Sequence, residues 1–260
     1  MNPSPPQQPP ISTSIVIPAF NEAGRILPSL QAIQDCCSTM NSSWEILVVD
    51  DGSTDATQQV VLEFRQGCPE LILLALERNH GKGAALQVGM TQARGNYILF
   101  TDSDLSTPIS EMPRLLQHLQ RYPIVVGDRR LQDSDIQTHQ PYLREFLGHK
   151  YTWIANRILG LSTTDFTCGF KCFTREAAHH LYQRTRQIGW SCDAEIFYLA
   201  RLGGFEIKPV PVPWKNHPDS RVQLSSTLFR SLLDLLLIRF RGLTRGYQST
   251  SPIPQFVVIE

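Results

Sequence analysis

The chain is poor in the features that mark whole classes of protein. Its formal net charge is zero, with 24 basic and 24 acidic residues among 260. It has no bulk positive field to neutralise phosphates, which argues against a nucleic-acid partner. Its six cysteines (Cys36, Cys37, Cys68, Cys168, Cys172 and Cys192) include no C-x-x-C pair and no Cys/His cluster at zinc-finger spacing. They read as reduced, mostly buried thiols of a cytoplasmic protein. The opening "MNPSPPQQPP" has neither a basic segment nor an apolar one, so residues 1–12 read as a disordered, polyproline-like tail rather than a leader. No apolar run approaches the roughly 18 residues that cross a bilayer. The nearest, Ser225–Tyr247, is interrupted by Arg230, Asp234, Arg239 and Arg241.

What is present is an alternation. Apolar runs at Thr13–Phe20, Trp44–Asp50, Glu70–Leu76, Asn96–Asp102 and Pro123–Gly127 are bounded by Gly, Pro, Asn or Asp. They predict strands, and their continuous apolarity predicts burial on both faces. Helical patterns lie between them at Glu22–Cys37, Thr54–Phe64 (Ser53 or Thr54 as N-cap), Lys82–Ala93 and Pro108–Gln120. Further on, Tyr142–Leu159 and Asp193–Leu202 read as helices. Thr167–Phe173 reads as a strand, and Phe205–Val212 as an edge strand broken by prolines. The expected fold is α/β, a mostly parallel open sheet with helices on both faces, and ligands bind such sheets at the carboxyl ends of the strands. The expected organisation is one domain over 13–224, an amphipathic helix over 225–247 and a tail over 248–260.

Four polar tips should then share one edge: Pro18–Glu22, Asp50–Ser53, Asp102–Asp104 and Gly127–Arg130. In "ILFTDSDLSTP" a buried strand ends in Asp102 and Asp104, which project to one side of extended chain. Two nearby carboxylates repel unless a cation holds them. As hard oxygen ligands they suit Mg²⁺ or Mn²⁺, with substrate phosphates completing the shell. Asp51 is expected to face ligand, accepting hydrogen bonds from a base or ribose. "RNHGKGAAL" lacks the spacing and the hydroxyl of a P-loop, but Lys82 at a helix start can meet an anionic phosphate.

Together, "IVIPAFNE", "ILVVDDGSTD", "NHGKGAALQVGMTQARGNYILFTDSDLSTP" and "DFTCGFKCFTREAA" resemble, in order, the motifs of the family 2 glycosyltransferases, which have a GT-A fold. The resemblance spans about Ser14 to Arg221. "DSDLSTP" and "CGFKCFTR" look closest to the dolichyl-phosphate β-glucosyltransferase branch, whose relatives include dolichol-phosphate mannose synthases. It implies that Pro18, Phe20, Glu22, Val49 and Asp51 hold the nucleoside. Asp102, Ser103 and Asp104 would meet the diphosphate, the aspartates through the metal. Arg129 would lie near the phosphates, and Lys215 and Arg221 on a loop that closes over donor and acceptor. Asp165, Gly169 and Phe170 match the acceptor-side motif. Ser106 stands where mannose synthases often offer an amide to the metal.

The expected reaction is inverting hexose transfer, most readily glucose from UDP-glucose, to a polyprenyl phosphate. An acceptor phosphate has a second pKa of about 6 and is largely ionised at neutral pH, so it needs no protein base. If the acceptor is a hydroxyl, Asp193 or Glu195 could serve as base. Mannosyl transfer from GDP-mannose and transfer to a soluble acceptor are the alternatives. The C-terminal helix, apolar with flanking arginines, is expected to lie on the cytoplasmic face of a membrane. It could equally meet a partner protein, a second copy of the chain included.

Overall fold

Apolar strands need cover on both faces, and the computed structural model supplies it. It describes residues 11–138, 142–216 and 224–259. In chain order the elements are β1 (Thr13–Ala19), α1 (Ile26–Ser38), β2 (Trp44–Asp50), α2 (Thr57–Arg65), β3 (Leu71–Leu76), α3 (Lys82–Gln92), β4 (Tyr97–Thr101) and α4 (Met112–His118). There follow β5 (Ile124–Asp128), β6 (Ile136–Thr138), α5 (Tyr142–Leu159), β7 (Phe170–Thr174), α6 (Arg175–Tyr182) and α7 (Cys192–Leu202). The last are β8 (Ile207–Pro211), β9 (Trp214–Lys215), α8 (Leu224–Leu243) and β10 (Phe256–Ile259).

Eight strands form one sheet in the order β10-β3-β2-β1-β4-β7-β5-β8. The pairs β1–β2, β1–β4, β2–β3 and β5–β8 are parallel. β7 runs antiparallel between β4 and β5, and β10 antiparallel on the edge of β3. Residues of β1 alternate between two cores. Val16 packs on the side of α3, α6 and α7, while Ile15 and Ile17 pack on the side of α1, α2 and α4. α3 is buried along most of its length, because a Cβ on Gly89 would lie 2.4 Å from Val16 Cγ1. Only glycine lets this helix lie so close to the sheet.

Three expectations are corrected. α2 begins at Thr57 with Ala56 as its N-cap, rather than Ser53 or Thr54. Ser53 and Thr54 instead bond to the β1 tip, where Ser53 Oγ accepts from Asn21 N–H and Asn21 Oδ1 accepts from Thr54 N–H, both at 2.8 Å. The helix expected from Pro108 to Gln120 opens as a 3₁₀ turn at Ile109–Glu111. The α-helix proper starts at Met112, with Pro113 in its first turn where no N–H is required. Residues 248–260, expected as a tail, contain β10, whose "FVVI" is β-branched and aromatic. Helix α6 was not anticipated; Thr174 caps it, accepting from Ala177 N–H.

Candidate active site

β1, β2 and β4 are mutually parallel, and β7 between β4 and β5 makes those two parallel as well. The carboxyl ends of these strands therefore share one edge, joined there by the amino end of β7. Asp102 N–H donates to Gly169 O at 3.2 Å, tying the β4 tip to the start of β7.

The β1 tip turns at Asn21, whose φ is +57°. Phe20 is exposed at this tip, and the buried Glu22 pairs with Arg25. Pro18 lies opposite Val49 in the β1–β2 register. The Val49 side chain is wholly buried in the core shared with Val16, so it does not point at the tip. Asp51 is also buried. Its Oδ1 accepts from His80 N–H at 2.8 Å and its Oδ2 from Gly81 N–H at 2.7 Å. Burial pushes its carboxyl above the usual range, and these two amides oppose the shift. Asp51 thus anchors the loop that delivers Lys82.

The cation beside Asp102 is a lysine. Lys82 Nζ donates to Asp102 Oδ1 at 2.7 Å. It also lies over the rings of Phe100 and Trp190, at 5.0 and 5.3 Å from their centroids. Burial acts to strip its proton, but Asp102 and then Asp193 outweigh that and hold the ammonium above its ordinary range. Asp104 Oδ1 accepts from Ser106 N–H at 3.0 Å. Ser103 is nearly buried, and its carbonyl accepts from Ser29 Oγ at 2.7 Å.

Behind this pair stands a second. Lys171, fully buried in β7, donates to Asp193 Oδ1 at 2.6 Å and to Cys168 O at 2.7 Å. Its Nζ lies 5.4 Å from the Phe100 centroid, so both lysines approach one ring. Asp193, a candidate base, is therefore committed to an ion pair. Glu195 is wholly buried and accepts from the amides of Arg186 and Gln187 and from Tyr247 Oη, at 2.8, 2.8 and 2.6 Å. It is a fold-holding group rather than a base. Sequence reasoning left Lys171 and Trp190 without roles. A lone lysine inside the apolar "FKCF" was the signal for the first.

Arg129 forms a forked pair with the buried Asp165, Nε to Oδ2 at 2.6 Å and Nη2 to Oδ1 at 2.8 Å, and also reaches Thr167 Oγ1 at 2.7 Å. Burial would raise the Asp165 carboxyl, but Arg129 overcomes this and holds it well below the carboxylate range. Phe170 is buried beneath, and Gly169 touches Asp102 directly. Lys215 is exposed, and its backbone N–H donates to Ser106 O at 2.9 Å, which places β9 against the segment after Asp104. Arg221 lies outside the described residues. Burial pushes the Cys168 thiol up to about 11, consistent with an inert thiol.

The donor set fits a divalent cation of the Mg²⁺ or Mn²⁺ kind. Asp102 and Asp104 are two carboxylates, hard oxygen donors, in a turn just past β4 that Leu105 N–H closes onto Asp102 O at 3.2 Å, rather than on the extended chain expected. Among the described residues no group of three or more His, Cys, Asp or Glu gathers into an all-protein cage. Such ions commonly take one or two carboxylates and complete their shell with substrate phosphates.

Away from the tips, α8 buries Ser231, Leu235 and Ile238, and Leu235 and Ile238 belong to the core that contains α7. It leaves Leu233, Leu236, Leu237, Phe240 and Leu243 exposed. Its neighbour α5 exposes Tyr142, Phe146 and Trp153. No helix among the described residues is long and apolar enough to cross a membrane.

The chain matches the family "Glycosyl transferase family 2" over residues 14–182. It is 35% identical to a dolichyl-phosphate beta-glucosyltransferase of Trichomonas vaginalis, over 95% of this chain and 78% of that protein. Enzymes of the same name from Mus musculus and Saccharomyces cerevisiae are 32% and 30% identical, over 90% and 92% of this chain and 77% of each relative. In fold it resembles glucosyl-3-phosphoglycerate synthase of Mycobacterium tuberculosis, solved with Mn²⁺, UDP-glucose and phosphoglyceric acid. That likeness has a TM-score of 0.64 at 21% identity, over 88% of this chain and 79% of that one. The chain has a GT-A fold and belongs to glycosyl transferase family 2.

Proposed function

We propose that the protein transfers glucose, with inversion, from UDP-glucose to a polyprenyl phosphate of the dolichyl kind. The observation that carries this reading is the strand-end edge, where Asp102 and Asp104 follow β4 and Lys82 pairs with Asp102. The names of relatives matched over at least nine tenths of the chain support the choice of sugar and acceptor.

An acceptor phosphate oxygen attacks the anomeric carbon. The bond from that carbon to the diphosphate breaks, and its electron pair leaves with UDP. A Mg²⁺ or Mn²⁺ held by Asp102 and Asp104 would supply charge neutralisation for the departing diphosphate. Lys82 adds a cation at the same tip. Glu22, Phe20 and Pro18 form the nucleoside side, with Asp51 fixing the loop behind it. Lys215, and Arg221 beyond the described residues, would meet acceptor or donor phosphate. Arg129, its fork occupied by Asp165, orients the β5 tip and contributes positive potential. No base is required, which suits the engagement of Asp193 by Lys171.

Labelled UDP-glucose, polyprenyl phosphate and Mg²⁺ should yield label extractable into organic solvent, abolished by excess EDTA. Label transferred from GDP-mannose alone would change the sugar. Transfer only to a water-soluble phosphorylated acceptor would remove the lipid.

A lipid acceptor and a soluble donor call for a surface that meets both phases. We assign this to the exposed apolar face of α8, with the exposed Arg230 on the helix and the exposed Arg245 just past its end, and the protein peripheral on the cytoplasmic side. Deleting the C-terminal segment would be a poor test, because Leu235 and Ile238 are core and β10 closes the sheet. The double variant Leu236→Asp, Phe240→Asp leaves the buried stripe intact. It should reduce sedimentation with anionic vesicles by about tenfold or more. Unchanged sedimentation, or a wild-type dimer that the variant breaks, would assign the face to a second copy instead.

A further inference from the structure

Lys82 occupies a place that disfavours a cation. It is the first residue of α3, an 11-residue helix, and the positive end of a helix dipole repels an ammonium and attracts an anion. The backbone there is largely committed. Gly83 N–H donates to Ile188 O at 2.8 Å and Ala84 N–H to Gly81 O at 2.9 Å. What keeps the ammonium in position is the Asp102 carboxylate at 2.7 Å, the faces of Phe100 and Trp190, and the potential of Asp193. Asp193 is itself balanced by Lys171 at 2.6 Å. The cluster of Asp102, Lys82, Asp193 and Lys171 is thus neutral as it stands.

A divalent cation arriving alone at Asp102 upsets that balance. It competes with Lys82 for the carboxylate, and then sits beside an ammonium in a site only partly open to water, where like charges interact more strongly than in bulk. A nucleotide diphosphate reverses the sign of the problem. Its phosphates give Lys82 a new partner at a helix end that already favours anions, and they free Asp102.

We infer that Lys82 is the resident counter-ion of Asp102 and makes metal binding conditional on the nucleotide diphosphate. This rests on the donor-site reading above and deepens it. Metal and nucleotide bind cooperatively through the phosphates that complete the metal's shell, and Lys82 adds a further part of the coupling. By linkage the effect is reciprocal, so UDP tightens the metal by the same factor as the metal tightens UDP.

The test is Mn²⁺ binding to the full chain, followed by the electron paramagnetic resonance of free Mn²⁺, with and without UDP. Wild-type protein should bind Mn²⁺ weakly alone and roughly tenfold or more tightly with UDP, within the usual range of such couplings. Lys82→Met should bind Mn²⁺ alone about tenfold more tightly than wild type, and the UDP effect on Mn²⁺ affinity should be several-fold smaller than in wild type, the remainder coming from direct phosphate coordination. Lys82→Arg keeps the charge and should keep the coupling. Lys82→Gln serves if the Met variant does not melt cooperatively. Unchanged or weaker Mn²⁺ binding by the charge-removed variants, with wild-type coupling intact, overturns the inference and leaves the donor site standing. Absence of Mn²⁺ binding by wild type even with UDP overturns the donor-site reading itself.

Discussion

Asp102→Asn should lower glucose transfer by about 100- to 1,000-fold, the scale seen when one charge-stabilising group is lost from a preorganised site. The amide has the carboxylate's shape but not its charge. Two partners lose by the change, namely Lys82, whose Nζ sits 2.7 Å from Oδ1, and the divalent cation the tip would hold. Stability should fall by about 1–3 kcal/mol, because the Lys82 side chain is only 14% exposed and loses its carboxylate partner. Initial rates at saturating donor, with a metal titration and a thermal melt, separate the two effects. Near-normal turnover would remove Asp102 from the chemistry.

Gly169→Ala should be as damaging to activity without touching a charge. A Cβ on Gly169 would fall 1.7 Å from Asp102 Oδ2 and 2.3 Å from its Cγ, an overlap that no rotation of the alanine can relieve. The atoms in the way all belong to the Asp102 side chain, and moving the backbone instead would stretch the bond from Asp102 N–H to Gly169 O. The carboxylate must therefore swing away, taking it from Lys82. The expected loss in kcat/KM is about 100-fold or more, with about 1–3 kcal/mol of stability from overpacking. Gly189→Ala is the matched control, since nothing lies within 4 Å of its Cβ position, and it should behave as wild type. If Gly169→Ala retains wild-type kcat/KM, Asp102 does not need its observed position.

The strands of the first half were legible because each is covered on both faces. "WEILVVD" and "YILFT" announce themselves by continuous apolarity, and their bounds were read to within a residue or two. The polar tips were legible because a parallel sheet sends strand ends to one edge. Partnership was not. Nothing in the spacing of Lys82 and Asp102, or of Lys171 and Asp193, says that they meet, because each pair joins separate elements through the tertiary fold. The occupation of Arg129 by Asp165 was hidden for the same reason. Pleating turns the Val49 side chain into the core opposite Pro18, which motif position alone does not say. β10 escaped notice because four residues after a proline-containing loop carry little periodicity.

The position of β10 has a consequence for how the molecule is made. Its Phe256 pairs with Leu76, and Ile259 with Leu73, so the strand that covers the "LILLAL" edge is synthesised after every other strand of that sheet. Until then that edge offers open hydrogen-bonding groups on an apolar, uncharged strand, the kind of edge that recruits other chains. That edge stays uncovered through the synthesis of all seven other strands of the sheet. Its solubility during synthesis therefore depends on protection that the finished fold no longer needs.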